Sequence, residues 1–197
     1  MIIASVFPKI TKKIRKIASQ KLGRSHLWEV GQNLKPQIRH NYKHINKLGS
    51  DRLINIYGAG RLYKPPLLIV DFGTALTCDL VSKDGVFLGG LIVPGPEIAF
   101  NALWEKTALL PKLPFPKGKV SFLGTDTREG MKAGILQGYG AMTDGLVERF
   151  KAKFGKKLRV VATGGLAKTL RPYAPSINTV DPLLTLKSLY LAWEEVS

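Results

Sequence analysis

Two segments carry residue types that can do chemistry together. Gly49-Ser50-Asp51-Arg52 sets a carboxylate beside a guanidinium. A carboxylate can take the proton of a hydroxyl, while a neighbouring guanidinium clamps an acidic substrate through its planar fork of donors. Asp71-Phe72-Gly73-Thr74-Ala75-Leu76-Thr77 follows the apolar run Leu67-Leu68-Ile69-Val70. A strand that reaches a glycine turn with Asp and Thr at the bend suits a phosphate and a cation. The turn amides point at the anion, glycine allows close approach, and the hydroxyls donate hydrogen bonds. The two segments together imply phosphoryl transfer from a nucleotide to a small acid.

Other chemistries fit less well. Asp71-Phe72-Gly73 is also a metal-binding tripeptide of protein kinases, but the glycine-rich loop and the His-Arg-Asp of that set are missing. Gly58-Ala59-Gly60 lacks the third glycine of a dinucleotide site. His40 and His44 stand four apart without a helical apolar face, and no Cys or carboxylate cluster completes a zinc site. Trp28, Trp104 and Trp193 are scattered, with no aromatic pair interleaved among the basic residues as on a single-strand-binding platform.

The chain has 197 residues and 45% apolar content, enough for a real core. Its one cysteine, Cys78, sits in an apolar strand and reads as a small buried hydrophobe, so no internal disulfide is available. No apolar run reaches membrane-spanning length, so no membrane partner is expected. Met1 to Ser5 lacks a basic stretch before its apolar residues and reads as a strand, which leads to an expected cytoplasmic location. The net charge of +16 is uneven, with fourteen Lys and Arg against Glu29 and Asp51 within residues 1–65. A basic surface of this kind attracts ATP, acidic substrates, acidic partners or nucleic acid.

These residues need elements to hold them. Met1 to Phe7 reads as a strand and Lys9 to Gln20 as a helix, closed by Gly23 and carrying Ile10, Ile14 and Ile17 on one face and a solvated basic face. His26 to Val30 reads as a strand and Gly31 to Lys47 as a loop. Ser50 is the expected N-cap of a helix through Leu53, Ile54, Ile56 and Tyr57. Three consecutive strands follow, Leu67 to Asp71, Ala75 to Val81 and Val86 to Val93, the last two joined by an Asp84-Gly85 turn. Pro94-Gly95-Pro96 breaks the chain before a helix through Ile98, Leu103 and Trp104. Leu109 to Lys119 reads as loop, and a long helix runs from about Thr127 to Phe154. Thr127 reads as its N-cap, and its glycines imply close approach of another backbone or a ligand. A strand over Leu158 to Ala162, a Gly164-Gly165 turn, a short helix, a strand over Ile177 to Val180 and a terminal helix from Pro182 to Glu195 complete the α/β order. Residues 1–65 read as one subdomain and 66–197 as a second. By element order alone, the first resembles a copy of the second without its opening three strands.

Gly49-Ser50-Asp51-Arg52, Asp71-Phe72-Gly73-Thr74, Gly89-Gly90 with Pro94-Gly95, Leu123-Gly124-Thr125-Asp126-Thr127, Ala162-Thr163-Gly164-Gly165, and Asp181 with Leu184-Thr185-Leu186 occur in this order. In order and spacing they resemble type III pantothenate kinases. The likeness covers essentially the whole chain, from Ile3-Ala4-Ser5-Val6-Phe7-Pro8 onward.

The resemblance implies an actin-like (ribonuclease H-like) ATPase fold, with one complete C-terminal copy and the remnant of an N-terminal copy, in a homodimer. It implies transfer of the ATP γ-phosphoryl group to pantothenate, the first step towards coenzyme A. By residue, Asp51 resembles the general base and Gly49, Ser50, Asp51 and Arg52 a pantothenate-binding loop, with Arg52 on the carboxylate. Tyr42 and Thr127 match further substrate contacts, Thr127 across the dimer. Thr74 matches an ATP contact, Gly164 and Gly165 part of the adenosine pocket, and Asp71 the ligand of a monovalent cation, K+ or NH4+. Mg2+ is expected to arrive with ATP. Asp126 stands where asparagine is usual and is expected to weaken binding of an acid modestly. Family members open with a strand and turn carrying Asp-x-Gly-Asn-Thr, which this sequence lacks. Low activity of the chain alone is therefore expected, and three origins are open for it: a gene fragment, a mis-called start, or half of a split enzyme in which a separate chain supplies the missing strands. The alternative is a non-catalytic regulatory or nucleic-acid-binding protein on the same fold.

Overall fold

The computed structural model describes residues 1–5, 8–22 and 27–196. Val6 and Phe7 of the opening motif, Gly23 as helix stop and His26 as strand start lie outside the described residues. The protein is a mixed α/β molecule of two compact units. One comprises Met1–Pro65, Val81–Gly89 and Leu183–Ser197, and the other Pro66–Leu80 and Gly90–Pro182.

In the first unit, β1 (Ile2–Ile3) pairs in parallel with β2 (Trp28–Glu29), and α1 (Pro8–Leu22) connects them. Ala18 of α1 packs with Ile3 and Leu27. The basic face of α1 is solvated as its sequence implies, but so is the isoleucine face. Ile10, Ile14 and Ile17 are 54%, 39% and 57% exposed, whereas Thr11 and Ala18 turn inward. Residues 31–47 are mostly irregular, yet they contain β3 (Arg39–His40), parallel to the start of the strand at Val86–Phe87, and a 3-10 turn over Ile45–Lys47. The expectation of plain loop fails here because a two-residue strand is defined only by its distant partner. α2 (Ser50–Leu62) is the centre of this unit. It buries Ile54 and Tyr57 against Val30, Leu34 and Ala192 of the terminal helix.

β4 (Leu67–Phe72), β5 (Ala75–Val81) and β6 (Val86–Pro94) follow one another closely, and β7 (Arg159–Thr163) and β8 (Thr179–Val180) continue the sheet in the order β6-β5-β4-β7-β8. Val81–Gly89, with the turn between β5 and β6, belongs to the first unit and the rest of these strands to the second. β4 and β7 are parallel, with Leu67 opposite Arg159 and Asp71 opposite Thr163. Leu67, Leu68, Ile69 and Val70 are all buried, the mark of a central strand covered on both faces. Gly85 (φ +74°) makes the β5–β6 turn, with Ser82 N–H donating to the Val86 carbonyl at 2.9 Å.

α3 (Pro96–Glu105), α4 (Thr127–Phe154) and the short α5 (Ala167–Leu170) belong to the second unit, while α6 (Leu184–Glu194) returns to the first. Of the glycines in α4, Gly140 meets the Tyr173 backbone and the backbone of Gly130 is approached by Gly124, so there the expected close approach is real; a Cβ at Gly130, Gly134, Gly138 or Gly145 would meet nothing within 4 Å. Among the described residues no helix is long and apolar enough to cross a membrane.

Candidate functional site

The Asp51 segment lies in the first unit, at the start of α2. Gly49, not Ser50, is the N-cap residue, with extended backbone (φ −55°, ψ 140°) and no side-chain cap bond. Glycine tolerates that position, so the helix starts without the hydroxyl. Ser50 Oγ is instead buried with no hydrogen-bond partner among the described residues. A buried hydroxyl without a partner is costly and is the kind of group a polar ligand satisfies. Asp51, in the first turn, accepts a hydrogen bond from the Arg52 amide at 2.8 Å. Helix N-termini favour negative charge, which suits both this carboxylate and an acidic ligand. Asp51 and Arg52 are half-buried.

Tyr42 belongs to the same unit. Its ring lies 5.3 Å from that of Phe87, and the backbone beside it is tied down by the Asn41 amide donating to the Phe87 carbonyl at 2.9 Å. The space a side chain would take at Gly89 (φ +128°) is bordered by the Tyr42 ring at 4.0 Å. Its loop lacks sequence periodicity, and strand β6 holds it in place.

The Asp71 segment lies in the second unit, where three turns meet. Asp71 ends β4 opposite Thr163, and Gly164 (φ +91°) follows at once. A Cβ at Gly164 would overlap Asp71 Oδ1 and the Phe72 carbonyl. Only glycine lets the β7–α5 turn press onto the end of β4. The third turn is at Gly95. Its amide donates to the Thr74 carbonyl at 2.9 Å, and a Cβ there would overlap the Gly73 and Thr74 carbonyls. In the sequence Pro94-Gly95 reads as a chain break and as one of the six motifs, and neither reading gives Gly95 as the brace of the Asp71 turn. The motif Pro94-Gly95 was the available signal, but its partner is twenty residues away. Thr74 is exposed at the bend and Gly165 is exposed beside Gly164, so the backbone here is open to a ligand.

This second site gathers a carboxylate and backbone carbonyls, hard oxygen donors that suit K+ or another hard cation. No group of three or more His, Cys, Asp and Glu that could hold a metal occurs among the described residues. A divalent ion would therefore take most of its ligands from phosphate oxygens, as Mg2+ commonly does. Cys78 on β5 is buried, and burial pushes its thiol up to about 12, so it is inert packing as expected.

Thr127 is exposed at the first position of α4. The cap expected of it is made by Asp126, which accepts from the Glu129 amide at 2.8 Å. Glu129 Oε2 in turn accepts from the Thr125 amide at 3.0 Å and from Thr125 Oγ1 at 2.8 Å. These bonds hold the Glu129 carboxyl below its usual range, the Thr125 amide contributing most. The Asp126 carboxylate is thus occupied at the helix N-terminus, where negative charge is favoured.

Thus Asp71 and Gly164 are in contact, and Thr74 is braced by Gly95. Tyr42, Gly49, Ser50, Asp51 and Arg52 belong to the first unit, and Thr127 to the start of α4 in the second.

The sequence model of type III pantothenate kinase matches residues 1–149. A type III pantothenate kinase of Moorella thermoacetica is 36% identical over 194 residues, covering 98% of this chain and 76% of that protein. One from Desulfotalea psychrophila is 38% identical over 199 residues, covering 97% of this chain and 74% of its own length. One from Bacillus cytotoxicus is 37% identical, covering 98% and 73%. A solved structure described as a Baf family transcriptional activator from Campylobacter jejuni shares the fold, with a TM-score of 0.63 at 18% identity, covering 99% of this chain and 82% of that one. On the family match and these identities, the chain belongs to the type III pantothenate kinase family.

Proposed function

We propose that this chain transfers the γ-phosphoryl group of ATP to the primary hydroxyl of pantothenate, giving phosphopantothenate on the route to coenzyme A. One observation carries the reading: the family match over residues 1–149 takes in Asp51, Arg52, Asp71, Thr74 and Thr127. The fold is read as actin-like, with residues 66–197 a complete C-terminal copy and 1–65 the remnant of an N-terminal one, in a homodimer in the cytoplasm.

Asp51 takes the hydroxyl proton as that oxygen bonds to the γ-phosphorus, and the bond from phosphorus to the ADP oxygen breaks. Arg52 pairs with the pantothenate carboxylate, while Tyr42, Gly49 and Ser50 line the substrate. The unsatisfied Ser50 Oγ supports a polar ligand there. Thr127 makes a second substrate contact from the partner protomer. Thr74, Gly164 and Gly165 hold ATP, and Asp71 holds K+ or NH4+. When bound, that cation and Mg2+ neutralise phosphate charge.

About a quarter of each curated relative lies outside the stretch matched, since the chain spans 73–76% of them. The isoleucine face of α1 is unpartnered among the described residues, and β1 has only β2 beside it. A strand and turn carrying Asp-x-Gly-Asn-Thr, in this polypeptide or in a separate one, would cover this surface and supply the phosphate loop.

Coupled measurement of ADP release tests the reading. Pantothenate-dependent release is expected, weak for the chain alone and rising when the unmatched segment of the Moorella relative is added. Asp51→Asn should cut it by about a hundredfold or more, the usual contribution of a positioned base. An unchanged rate removes Asp51 from the chemistry. Absence of binding of both pantothenate and an ATP analogue by folded protein would remove the function.

A second reading, nucleic-acid binding without catalysis, is favoured by one feature. Lys9, Lys12, Lys13, Arg15 and Lys16 of α1 line a cavity of about 980 Å³, whose lining also includes Glu29, the ion-pair partner of Arg15. It requires DNA affinity that falls steeply with salt.

A further inference from the structure

The segment before α4 is locked more firmly than an exposed loop needs to be. Asp126 caps the helix through the Glu129 amide, and Glu129 reaches back to both the amide and the hydroxyl of Thr125. Gly124 closes the arrangement, because its Cα sits against the backbone of Glu129 and Gly130, where a Cβ would overlap the Gly130 amide. The Gly130 amide itself donates to the Asp126 carbonyl at 2.8 Å. Residues 124–130 thus form a closed ring of short bonds around an exposed Thr127. A reciprocal cap of this kind fixes the angle at which the chain enters a helix.

We propose that Glu129 is a positioning residue for the substrate. It holds the Thr125–Thr127 turn in the one conformation that presents the Thr127 hydroxyl to pantothenate. The inference rests on the proposed role of Thr127 as a pantothenate contact. Glu129 itself touches neither the substrate nor the reacting atoms, and its carboxylate oxygen is spent on Thr125. Asp126 and Lys132 are the charged groups that act on it, the first opposing and the second favouring its ionised form. The side-chain acceptor, rather than the charge, does the holding, so glutamine should replace it and alanine should not.

The test combines amide hydrogen exchange with steady-state kinetics on the full chain, for the wild type, Glu129→Ala and Glu129→Gln. In Glu129→Ala, exchange at the Thr125 amide should rise about tenfold, in line with loss of a capping acceptor. KM for pantothenate should rise about tenfold with kcat within twofold, the signature of lost ground-state binding. KM for ATP should not move. Glu129→Gln should recover most of both effects, because its amide oxygen still accepts from Thr125. A merely structural role would lower the melting temperature without separating the two KM values. Unchanged exchange in Glu129→Ala, or unchanged pantothenate KM, overturns the proposal. Thr127→Val separates the two readings. If it leaves KM unaltered while Glu129→Ala raises it, the Thr127 contact is wrong, and the proposal that Glu129 acts by presenting the Thr127 hydroxyl falls with it. If the wild type shows no pantothenate turnover, the proposed function fails, and the exchange result alone decides whether Glu129 holds the turn.

Discussion

At Gly164 two constraints fall on one residue. Its backbone is left-handed, and the space of its missing side chain is filled by the Asp71 carboxylate and the Phe72 carbonyl. Gly164→Ala should therefore cost about 1–3 kcal/mol for the backbone conformation alone. It should also push the end of β4 away from β7, displacing the carboxylate proposed to hold K+ or NH4+. Thermal unfolding and titration with an ATP analogue at varied K+ check this, with a lower melting temperature and weaker, less K+-sensitive binding expected. Gly145→Ala is the control, since a Cβ there meets nothing within 4 Å and the residue lies outside the proposed ATP site. The Asp71 turn was legible in the sequence because a strand, a carboxylate and a glycine are adjacent. Its contact with Gly164 was legible only as a motif, because register between β4 and β7 is set by hydrogen bonds ninety residues apart in sequence.

At the scale of elements, the junction of α2 and α6 has the tightest fit in the first unit. A Cβ at Gly58 would overlap Ser188 Oγ, Cβ and Cα, so the two helices approach almost backbone to backbone. Thr185 Oγ1 donates to Asn55 Oδ1 at 2.8 Å, and Arg61 bonds Glu195 at 2.8 Å while stacking 3.6 Å over Tyr57. The Tyr57 phenol, buried and bonded to Glu195, is raised to about 12. Gly58→Ala should destabilise by about 1–3 kcal/mol through overpacking. Ser188→Gly, which removes part of the obstacle, should give back a measurable share when combined with it. Urea unfolding of both single variants and the double gives the coupling, and strict additivity would mean that the clash is absorbed elsewhere.

Most long elements were readable: α2, β4 to β6, α3, α4 and β7 follow from period, turns and prolines. The short ones were not. β1 and β2 each span two residues inside longer apolar runs, and β3 has no local signal at all. In α1 the period was read correctly, but the period alone does not say what the isoleucine face packs against. The caps were misassigned by one residue at Ser50 and Thr127, since several neighbouring residues can cap and the backbone decides which does.

The whole molecule carries a face suited to a second copy of itself. On the second unit, Gly130, Gly134 and Gly138 recur every fourth residue of α4, with no heavy atom within 4 Å of any Cβ placed there. They floor a groove of about 620 Å³ walled by Val93, Leu103, Ile135 and Met142. Apolar walls over a glycine floor let a second helix approach closely, and an isologous pair would bury the same face on both copies. The resemblance places Thr127, at the head of this helix, across the dimer. If the proposed homodimer pairs through this face, Gly134→Arg should give a monomer in sedimentation equilibrium under conditions where two copies of the wild type sediment together. Its fold should be unharmed, because the site is open and replacing a helical glycine gains about 1 kcal/mol of propensity. Far-UV circular dichroism and melting temperature should match the wild type or exceed it, while pantothenate affinity falls because the partner's helix is no longer there to complete the site. A dimeric Gly134→Arg would move the contact to another face, and a monomer that binds pantothenate as well as the wild type would return Thr127 to its own protomer.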